Sequence, residues 1–307
     1  MPISIRIGNQ HLTVDVSSLG AEMQALTSSD GRSWLWTGDA AFWTGRSPIL
    51  FPIVGKAPDD KVTIDGAVYP MAQHGFARRS EFVLAASTET MCRFELAASD
   101  ASRAVYPFEF QLAVVHAVEG RALTVTAEVT NRDRKPMPFG LGFHSAFAWP
   151  LPDASGHDHI VTLDDQGEPA LVRLEGGLIN PAPLPSPFNA GRLVLDHSMF
   201  EQDAMIFPDG AGEGLHYGAE GGPTMQFHFE NLPNLALWTK PGAPFLCIEP
   251  WHGTAAEAGG SSELSARPST TILAPGAVAS FAFTVKIPEQ GQTESARREA
   301  GRAPMSQ

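Results

Sequence analysis

Strict alternation of apolar and polar side chains is the feature that most constrains how this chain can fold. In residues 108–118, FEFQLAVVHAV, phenylalanine, leucine, valine and His116 share one side of an extended chain. In residues 121–130, RALTVTAEVT, leucine, valine and alanine alternate with threonine and glutamate. Such alternation is typical of antiparallel strands with one buried face. The short link Glu119-Gly120 between the two segments predicts a β-hairpin.

Further segments show the same extended pattern: ISIRI, HLTVDV, KVTID, AVYPM, TMQFHFE and SFAFTVKI. Asp65-Gly66, between two of them, is the strongest turn signal, because a tight hairpin turn needs positive φ at both positions. The nearest candidate for a helix is SARREAGR, residues 295–302. Many short strands joined by Gly- and Pro-rich links predict an all-β fold, a large antiparallel β-sandwich. The sequence shows no repeat of about 20–50 residues, which argues against a propeller.

The domain organisation follows from the length of 307 residues, which allows one large domain or two ordinary ones. Residues 165–192 are rich in Gly and Pro with little periodicity, so we expect an excursion over the surface. Strand patterns of the same style resume after it, and we predict a single β-sandwich domain over residues 1–287. Residues 288–307 are polar, and we expect a disordered tail there.

Charge and cysteine content exclude several classes of function. The formal net charge is −13 and no Lys/Arg run is present, so we expect no nucleic-acid partner. The N-terminus, MPISIRIGNQ, has no signal-peptide pattern, and no apolar run approaches the roughly 18 residues that would span a membrane. Cys92 and Cys247, the only two cysteines, cannot form a disulfide framework or a zinc ribbon. We therefore expect a cytoplasmic protein.

Three stretches combine ionisable groups with Gly, Pro and aromatic residues: QHGFAR at 73–78, GFHSAFAWPL at 142–151 and PGAPFLCIEPWHG at 241–253. In the third, we expect Pro250 to end a strand, since proline cannot donate to a ladder. Glu249 then lies at a strand end among apolar neighbours. Its carboxylate is either paired with a cation or has a raised pKa. His144 lies in an aromatic run and needs a polar partner if it is buried.

Other histidines have simpler or competing interpretations. We expect His116, on the apolar face of its strand, to be a core residue, and Arg79 to be a solvated neighbour of Arg78. The HxH pair of His157 and His159 raises a metal-dependent, cupin-like enzyme as an alternative. Further oxygen ligands for such a metal are found nearby, at Asp164, Asp165 and Glu168.

Four segments together resemble the aldose 1-epimerase family: SPILFPIVGK (47–56), YPMAQHGFAR (69–78), MPFGLGFHSAF (137–147) and LWTKPGAPFLCIEPWHG (237–253). They occur in the order of the family's landmarks, and the chain is most similar to the LacX-like bacterial branch. The resemblance covers roughly residues 1–287. It implies a galactose mutarotase-like β-supersandwich with a sugar held in an open cleft on one sheet.

The resemblance also implies the reaction and the residues that carry it. The family interconverts the α and β anomers of free aldohexoses by opening and closing the sugar ring, without a metal or cofactor. By residue-by-residue correspondence, Glu249 matches the catalytic glutamate, His144 the catalytic histidine and His74 a second active-site histidine. Substrate-binding candidates are Arg78, at a phosphate-contacting position of related hexose-6-phosphate epimerases, together with Asp203, Lys56, Trp251 and Lys240. At Lys56, the LacX-like pattern often has Arg.

Ring opening needs a base for the C1 hydroxyl proton and an acid for the ring oxygen. We expect Glu249 to be the base, with a pKa raised towards neutrality, and His144 the acid, with a pKa near its free value. His74 would hold or polarise the sugar. A hexose-6-phosphate epimerase and a non-catalytic carbohydrate-binding protein are the alternatives on the same fold. The partner is a small sugar, free or phosphorylated, and the protein is expected to be a monomer or homodimer.

Overall fold

A computed structural model describes residues 2–210 and 212–289 of the chain, and these residues are almost entirely strands and connecting loops. The expected tail from residue 290 and the candidate helix at residues 295–302 lie outside the described residues. The described helical segments are the α-helix α1, Asp100–Arg103, and the short 3-10 turns Pro58–Asp60, Ala77–Arg79, His197–Phe200 and Leu264–Ala266. No helix in the described part of the chain is long and apolar enough to cross a membrane.

The strands of the first half are β1 Ser4–Gly8, β2 Leu12–Ser17, β3 Met23–Ser28, β4 Ile49–Leu50, β5 Lys61–Ile64, β6 Ala67–Pro70, β7 Val83–Ser87, β8 Met91–Ala97, β9 Phe110–Glu119, β10 Ala122–Asn131, β11 Met137–Phe139 and β12 Leu141–Phe143. The chain continues with β13 Ser145–Ala148, β14 His159–Leu163, β15 Leu174–Glu175, β16 Leu178–Ile179, β17 Arg192–Val194, β18 Met205–Phe207, β19 Gly214–Ala219, β20 Thr224–Glu230, β21 Asn234–Trp238, β22 Phe245–His252, β23 Thr271–Leu273 and β24 Val278–Lys286.

Two large antiparallel sheets dominate the fold. One has nine strands in the order β17-β14-β19-β20-β24-β10-β9-β8-β7. The other has the order β18-β21-β22-β12-β4, with β13 also paired to β22. A three-stranded sheet, β1-β2-β3, and three two-stranded ribbons complete the architecture. The predicted all-β, antiparallel sandwich is confirmed.

Aromatic side chains from both large sheets meet between them and form the core. Phe147 on β13 contacts Phe227 on β20 edge-to-face, with ring centroids 5.0 Å apart, and Phe143 on β12 lies 4.9 Å from Phe283 on β24. The alternation of β9 and β10 places their apolar faces in the same core. Burial of these side chains is the main driving force that holds the two sheets together.

The predicted hairpins and the core histidine are confirmed. β9 and β10 pair across Gly120-Arg121, one residue later than the predicted link, because Glu119 itself pairs with Ala122 of β10. β5 and β6 pair across Asp65-Gly66, where both turn residues have positive φ (52° and 79°). His116 is 2% exposed, and its Nε2 donates to the carbonyl of Ala21 over 3.0 Å. Burial lowers the pKa of His116 to about 4, so the ring stays neutral in the folded protein.

Two predictions about chain segments need correction. β22 does not end at Pro250: the proline pairs with Leu235 of β21 and the strand runs on to His252. On its other side, β22 changes partner from β13 to β12, and neither ladder has a pair at Pro250, so the missing N–H is tolerated there. The excursion at 165–192 does not merely cross the surface. Val172 is buried and exchanges hydrogen bonds with Ile206 of the six-stranded sheet.

Candidate active site

Strand β22 presents a row of side chains on the face of the six-stranded sheet that is turned away from the main core. Leu246 and Ile248 point into the main core, whereas Cys247, Glu249 and Trp251 lie on the opposite face. This is the alternation expected for successive strand residues. Glu249 thus lies on a central strand of this sheet.

His144 lies in the break between β12 and β13, beside the point where β22 exchanges one partner for the other. Its backbone N–H donates to the carbonyl of Pro48, next to β4. The irregular ladder leaves His144 free to turn its ring towards β22. Its Nε2 lies 3.3 Å from Oε2 of Glu249, although the two residues are far apart in sequence.

The Glu249–His144 pair is removed from water. Glu249 is 2% exposed and the His144 side chain 10%. Burial, reinforced by the charge of Asp203, raises the pKa of Glu249 well above its usual value. Burial, reinforced by the charge of Arg78, lowers the pKa of His144 to about 3. The expected rise for Glu249 is present, but the expectation that His144 keeps its free pKa is wrong, because its ring is too deeply buried.

His74 forms the next part of the site and is held by the backbone of a neighbouring loop. The Gly55 N–H donates to Nδ1 of His74 over 3.1 Å, and the His74 N–H donates to the Gly55 carbonyl over 2.8 Å. Because Nδ1 accepts a hydrogen bond, the proton of the neutral ring lies on Nε2. The ring of His74 meets that of His144 edge-on, with centroids 5.6 Å apart. Burial lowers the pKa of His74 well below its usual value.

Arg78 lies beside the histidines without a carboxylate partner among the described residues. Its Nη2 donates to the carbonyl of Gln73 over 3.0 Å, while its buried Nε has no hydrogen-bond partner. The positive charge of Arg78 helps to keep both histidines neutral. Arg79, next along the chain, is exposed.

Asp203 approaches the pair from the loop before β18. Its φ is +68°, and its Oδ1 accepts a hydrogen bond from the N–H of Ala204 over 2.9 Å. Arg173, a residue of the 165–192 excursion, holds this loop by donating to the carbonyls of Asp203 at 2.8 Å and Met199 at 2.7 Å. Asp203 is thus placed where its charge acts on Glu249. The sequence pointed to Asp203 through family resemblance and missed Arg173 altogether.

An aromatic wall that the sequence reasoning also missed closes one side of the site. The ring of Trp43 lies tilted over His144 at 4.9 Å, and Trp238 meets His144 edge-on at 5.6 Å. Trp36 fixes the Trp43 loop, because its Nε1 donates to the Trp43 carbonyl over 2.9 Å. The aromatic-rich run WLWTGDAAFW, residues 34–43, was the available signal. The ring face of Trp43 can stack on the apolar C–H face of a sugar.

The remaining candidates lie around this centre. Lys240 Nζ donates to the carbonyl of Phe42 over 3.4 Å and so contacts the loop that carries Trp43. Trp251 is buried in an apolar cluster with Leu50 and Ala236, and its Nε1 has no hydrogen-bond partner in the described part of the chain. Lys56 packs its stem near Gly177, at the tip of the β15–β16 hairpin. The structure records no direct contact between these three side chains and Glu249 or His144.

The HxH pair does not gather metal ligands. His159 is buried; its Nε2 accepts from the N–H of Leu151 over 2.9 Å and its Nδ1 bonds the carbonyl of His157 over 2.9 Å. His157 is exposed, and Asp164 faces His216 instead. The alternative of a cupin-like metal site at this segment is therefore not supported by the geometry.

Comparison with known proteins gives a consistent result over nearly the whole chain. A family model described as aldose 1-epimerase matches residues 4–263. The chromosomal LacX protein of Lactococcus lactis subsp. lactis is 29% identical over 289 residues, which cover 89% of this chain and 95% of LacX.

Solved structures resemble the fold closely. A galactose mutarotase-like protein from Lactobacillus casei ATCC 334 is 30% identical, with a TM-score of 0.87 over 93% of this chain and 100% of that one. A galactose mutarotase-related enzyme from Lactobacillus acidophilus has a TM-score of 0.89 at 24% identity, over 95% of this chain and 99% of that one. The galactose mutarotase-like sandwich is thus shared along nearly the full length of each protein.

Proposed function

The chain belongs to the aldose 1-epimerase family, and from this membership and the site geometry we propose that it is a mutarotase for aldohexoses. The observation that carries the proposal is the buried pair of Glu249 and His144, 3.3 Å apart. A protein that only binds sugar has no need for two buried proton-transfer groups placed side by side.

The mechanism needs one proton shared by the pair. Burial favours the neutral arrangement, with a carboxylic acid on Glu249 and a neutral His144. The reactive arrangement, carboxylate and imidazolium, differs only by transfer of that proton between the two groups. Glu249 then takes the C1 hydroxyl proton while His144 gives its proton to the ring oxygen, and the C1–O5 bond breaks to leave the open-chain aldehyde. Rotation about C1–C2, followed by the reverse proton transfers, closes the ring and gives the other anomer.

Other residues of the site would orient the sugar. His74 presents its Nε2–H as a donor, because Gly55 holds Nδ1 as an acceptor. Asp203 would accept hydrogen bonds from hydroxyl groups, and its charge adds to the effect of burial in raising the pKa of Glu249. Trp43 and Trp238 provide an apolar wall against His144. Each group acts on bound sugar without entering the proton transfers.

The test is mutarotation of α-glucose and α-galactose, followed by polarimetry, with wild type and Glu249→Gln. The substitution keeps the shape of the side chain but removes the proton acceptor, and we expect a loss of about 10²–10⁴ in rate. Glu230→Gln, an exposed glutamate of β20, is the matched control and should keep the wild-type rate. Wild-type activity in Glu249→Gln would reject the assignment.

Phosphorylated hexoses are the second candidate substrates, and Arg78 is the observation in their favour. Its guanidinium is half-buried beside the histidines, and among the described residues it has no ion pair and its Nε has no hydrogen-bond partner. Arginine is well suited to bind phosphate. We expect Arg78→Ala to reduce turnover of glucose 6-phosphate more than that of glucose, whereas Arg79→Ala should affect neither. Equal losses for both sugars in Arg78→Ala would rule out a phosphate-binding role.

A further inference from the structure

Three metal-ligating side chains converge at the acid–base pair, although only two are needed for the proton transfers. His144, Cys247 and Glu249 each offer one ligand atom, and the three atoms lie within 4.8 Å of one another. All three residues are buried. Among the described residues, no other group of three histidine, cysteine or acidic side chains meets in this way. The mechanism proposed above for mutarotation does not use Cys247.

We propose that His144, Cys247 and Glu249 form a binding site for a thiophilic divalent ion such as Zn²⁺, and that the bound ion switches the enzyme off. The site would have three protein ligands and one open position. A nitrogen, a sulfur and an oxygen ligand are the donor types that Zn²⁺ prefers, whereas Mg²⁺ and Ca²⁺ prefer oxygen alone.

The distances suit a tetrahedral ion. Zn–N and Zn–O bonds of about 2.0–2.2 Å, at a tetrahedral angle, hold the two ligand atoms roughly 3.4 Å apart. The observed separation between His144 Nε2 and Glu249 Oε2 is 3.3 Å. A Zn–S bond of about 2.3 Å requires the sulfur at roughly 3.6 Å from the other two atoms. Because the three ligand atoms lie within 4.8 Å of one another, each distance to the Cys247 sulfur has to shorten by about 1.2 Å at most. Cys247 and Glu249 are alternate residues of one strand and already point the same way.

The charges of the site also suit such an ion. One Zn²⁺ with a thiolate and a carboxylate is neutral overall, which offsets the cost of placing each charge in a buried pocket. Asp203 adds a nearby negative charge, whereas Arg78 adds a positive one that weakens binding. The apolar rings of Trp36, Trp43 and Phe245 surround the cysteine and limit access of competing water.

Inhibition follows from the proton chemistry. A metal on His144 occupies the nitrogen that must carry a proton, and a metal on Glu249 occupies the carboxylate that must accept one. Both transfers stop while the ion is bound. The inhibitory part of the inference rests on the proposed function, but metal binding itself does not.

Binding is tested directly with chelator-treated, full-length protein. Zn²⁺ alone is titrated in competition with a chromophoric chelator, and Co²⁺ serves as a spectroscopic substitute whose thiolate charge-transfer band reports a Co–S bond. We expect one ion per chain. Cys247→Ala should abolish the Co–S charge-transfer band. It should also weaken Zn²⁺ binding by more than the roughly 10–100-fold that is typical when a residue behind a metal ligand is removed, because Cys247 is itself a ligand. Cys92→Ala is the matched control, a buried cysteine paired in register with His116, and should bind like wild type.

Inhibition is measured on each protein relative to its own metal-free rate. We expect Zn²⁺ to stop wild-type mutarotation in proportion to occupancy, a chelator to restore it, and Cys247→Ala to resist. Unchanged Zn²⁺ affinity in Cys247→Ala, or faster turnover with Zn²⁺, would overturn the proposal. If wild type lacks mutarotation altogether, the proposed function fails. A Co²⁺ band that is lost in Cys247→Ala would still uphold the binding site and discard only its inhibitory role.

Discussion

At the scale of single residues, the segment MAQHGFARR at 71–79 depends on one glycine. Gly75 has a φ of +69°, and a Cβ placed there would lie 2.1 Å from the carbonyl oxygen of Phe51. That carbonyl accepts hydrogen bonds from the N–H groups of Phe76 and Ala77. The close backbone approach therefore fixes where His74 and Arg78 enter the site.

We predict that Gly75→Ala displaces this segment and reduces both stability and activity. Gly66→Ala is the matched control, because Gly66 has a similar φ of +79° but open space where its Cβ would lie. In the control, the strain of a left-handed alanine should lower the free energy of unfolding by about 1 kcal/mol. Gly75→Ala should lower the free energy of unfolding clearly more, as measured by denaturant unfolding. Equal decreases in the free energy of unfolding of the two variants would show that the close approach of residue 75 to Phe51 does not contribute to stability.

His116 makes a separate prediction about pH. Its pKa falls from 6.5 to about 4 on folding, so the unfolded chain binds more protons between these values. The protein therefore loses up to about 3 kcal/mol of stability as the pH falls from 6.5 to 4 because of this residue. His116→Gln can still donate to Ala21, and its free energy of unfolding should fall less over that interval. Parallel pH profiles for the two proteins would contradict the assignment.

The sequence identified the central residues but could not pair them. Glu249 and His144 were conspicuous because polar groups in apolar runs need partners. Their mutual contact depends on the break between β12 and β13, which periodicity does not reveal. Arg173 was missed because a single cationic residue in a loop carries no pattern. Trp43 was missed because the aromatic-rich run at residues 34–43 does not show which of its rings faces the site. The pKa of His144 was misjudged because the depth of its burial follows from neighbours distant in sequence.

At the scale of elements, strand β22 joins the core to the site. Its regular alternation places Glu249 and Cys247 on one face. Its change of partner at Pro250 makes room for His144, and the sequence indicated the opposite, an end to the strand. A proline within a sheet is tolerated where the ladder is interrupted, and such irregularities are common beside active sites.

The 165–192 excursion supports the site through Arg173. Removing its two hydrogen bonds, to the carbonyls of Met199 and Asp203, should loosen Asp203. We predict that Arg173→Gln raises KM for the sugar on the order of tenfold, with a smaller change in kcat, because in the proposed mechanism Asp203 positions the substrate. Arg192→Gln, an exposed arginine of β17, is the control and should behave like wild type. An unchanged KM in Arg173→Gln would show that Arg173 does not hold Asp203 in place for the substrate.

At the scale of the whole molecule, the two large sheets share one apolar core that includes side chains from β1 to β24. Fold class was predictable because period-two alternation is a local property of the sequence. The order of the sheets was not, since it depends on pairings such as β10 with β24, remote in the chain. The resemblance to a known family supplied what the local pattern could not.

We propose that residues 1–287 fold as a single domain, and we predict one cooperative unfolding transition. Heat denaturation followed by calorimetry and by tryptophan fluorescence should give coincident midpoints, because the sheets cannot keep their core separately. Two resolved transitions would contradict the single-domain assignment.

The central claim is that Glu249 and His144 act as one proton-transfer unit, and a double-mutant cycle tests it most directly. Mutarotation of α-glucose is measured for wild type, Glu249→Gln, His144→Asn and the double variant. Groups that act as a unit are not additive, so each single variant should fall by about 10²–10⁴ and the double variant should be no slower. Losses that multiply in the double variant, or wild-type rates in either single variant, would contradict the account.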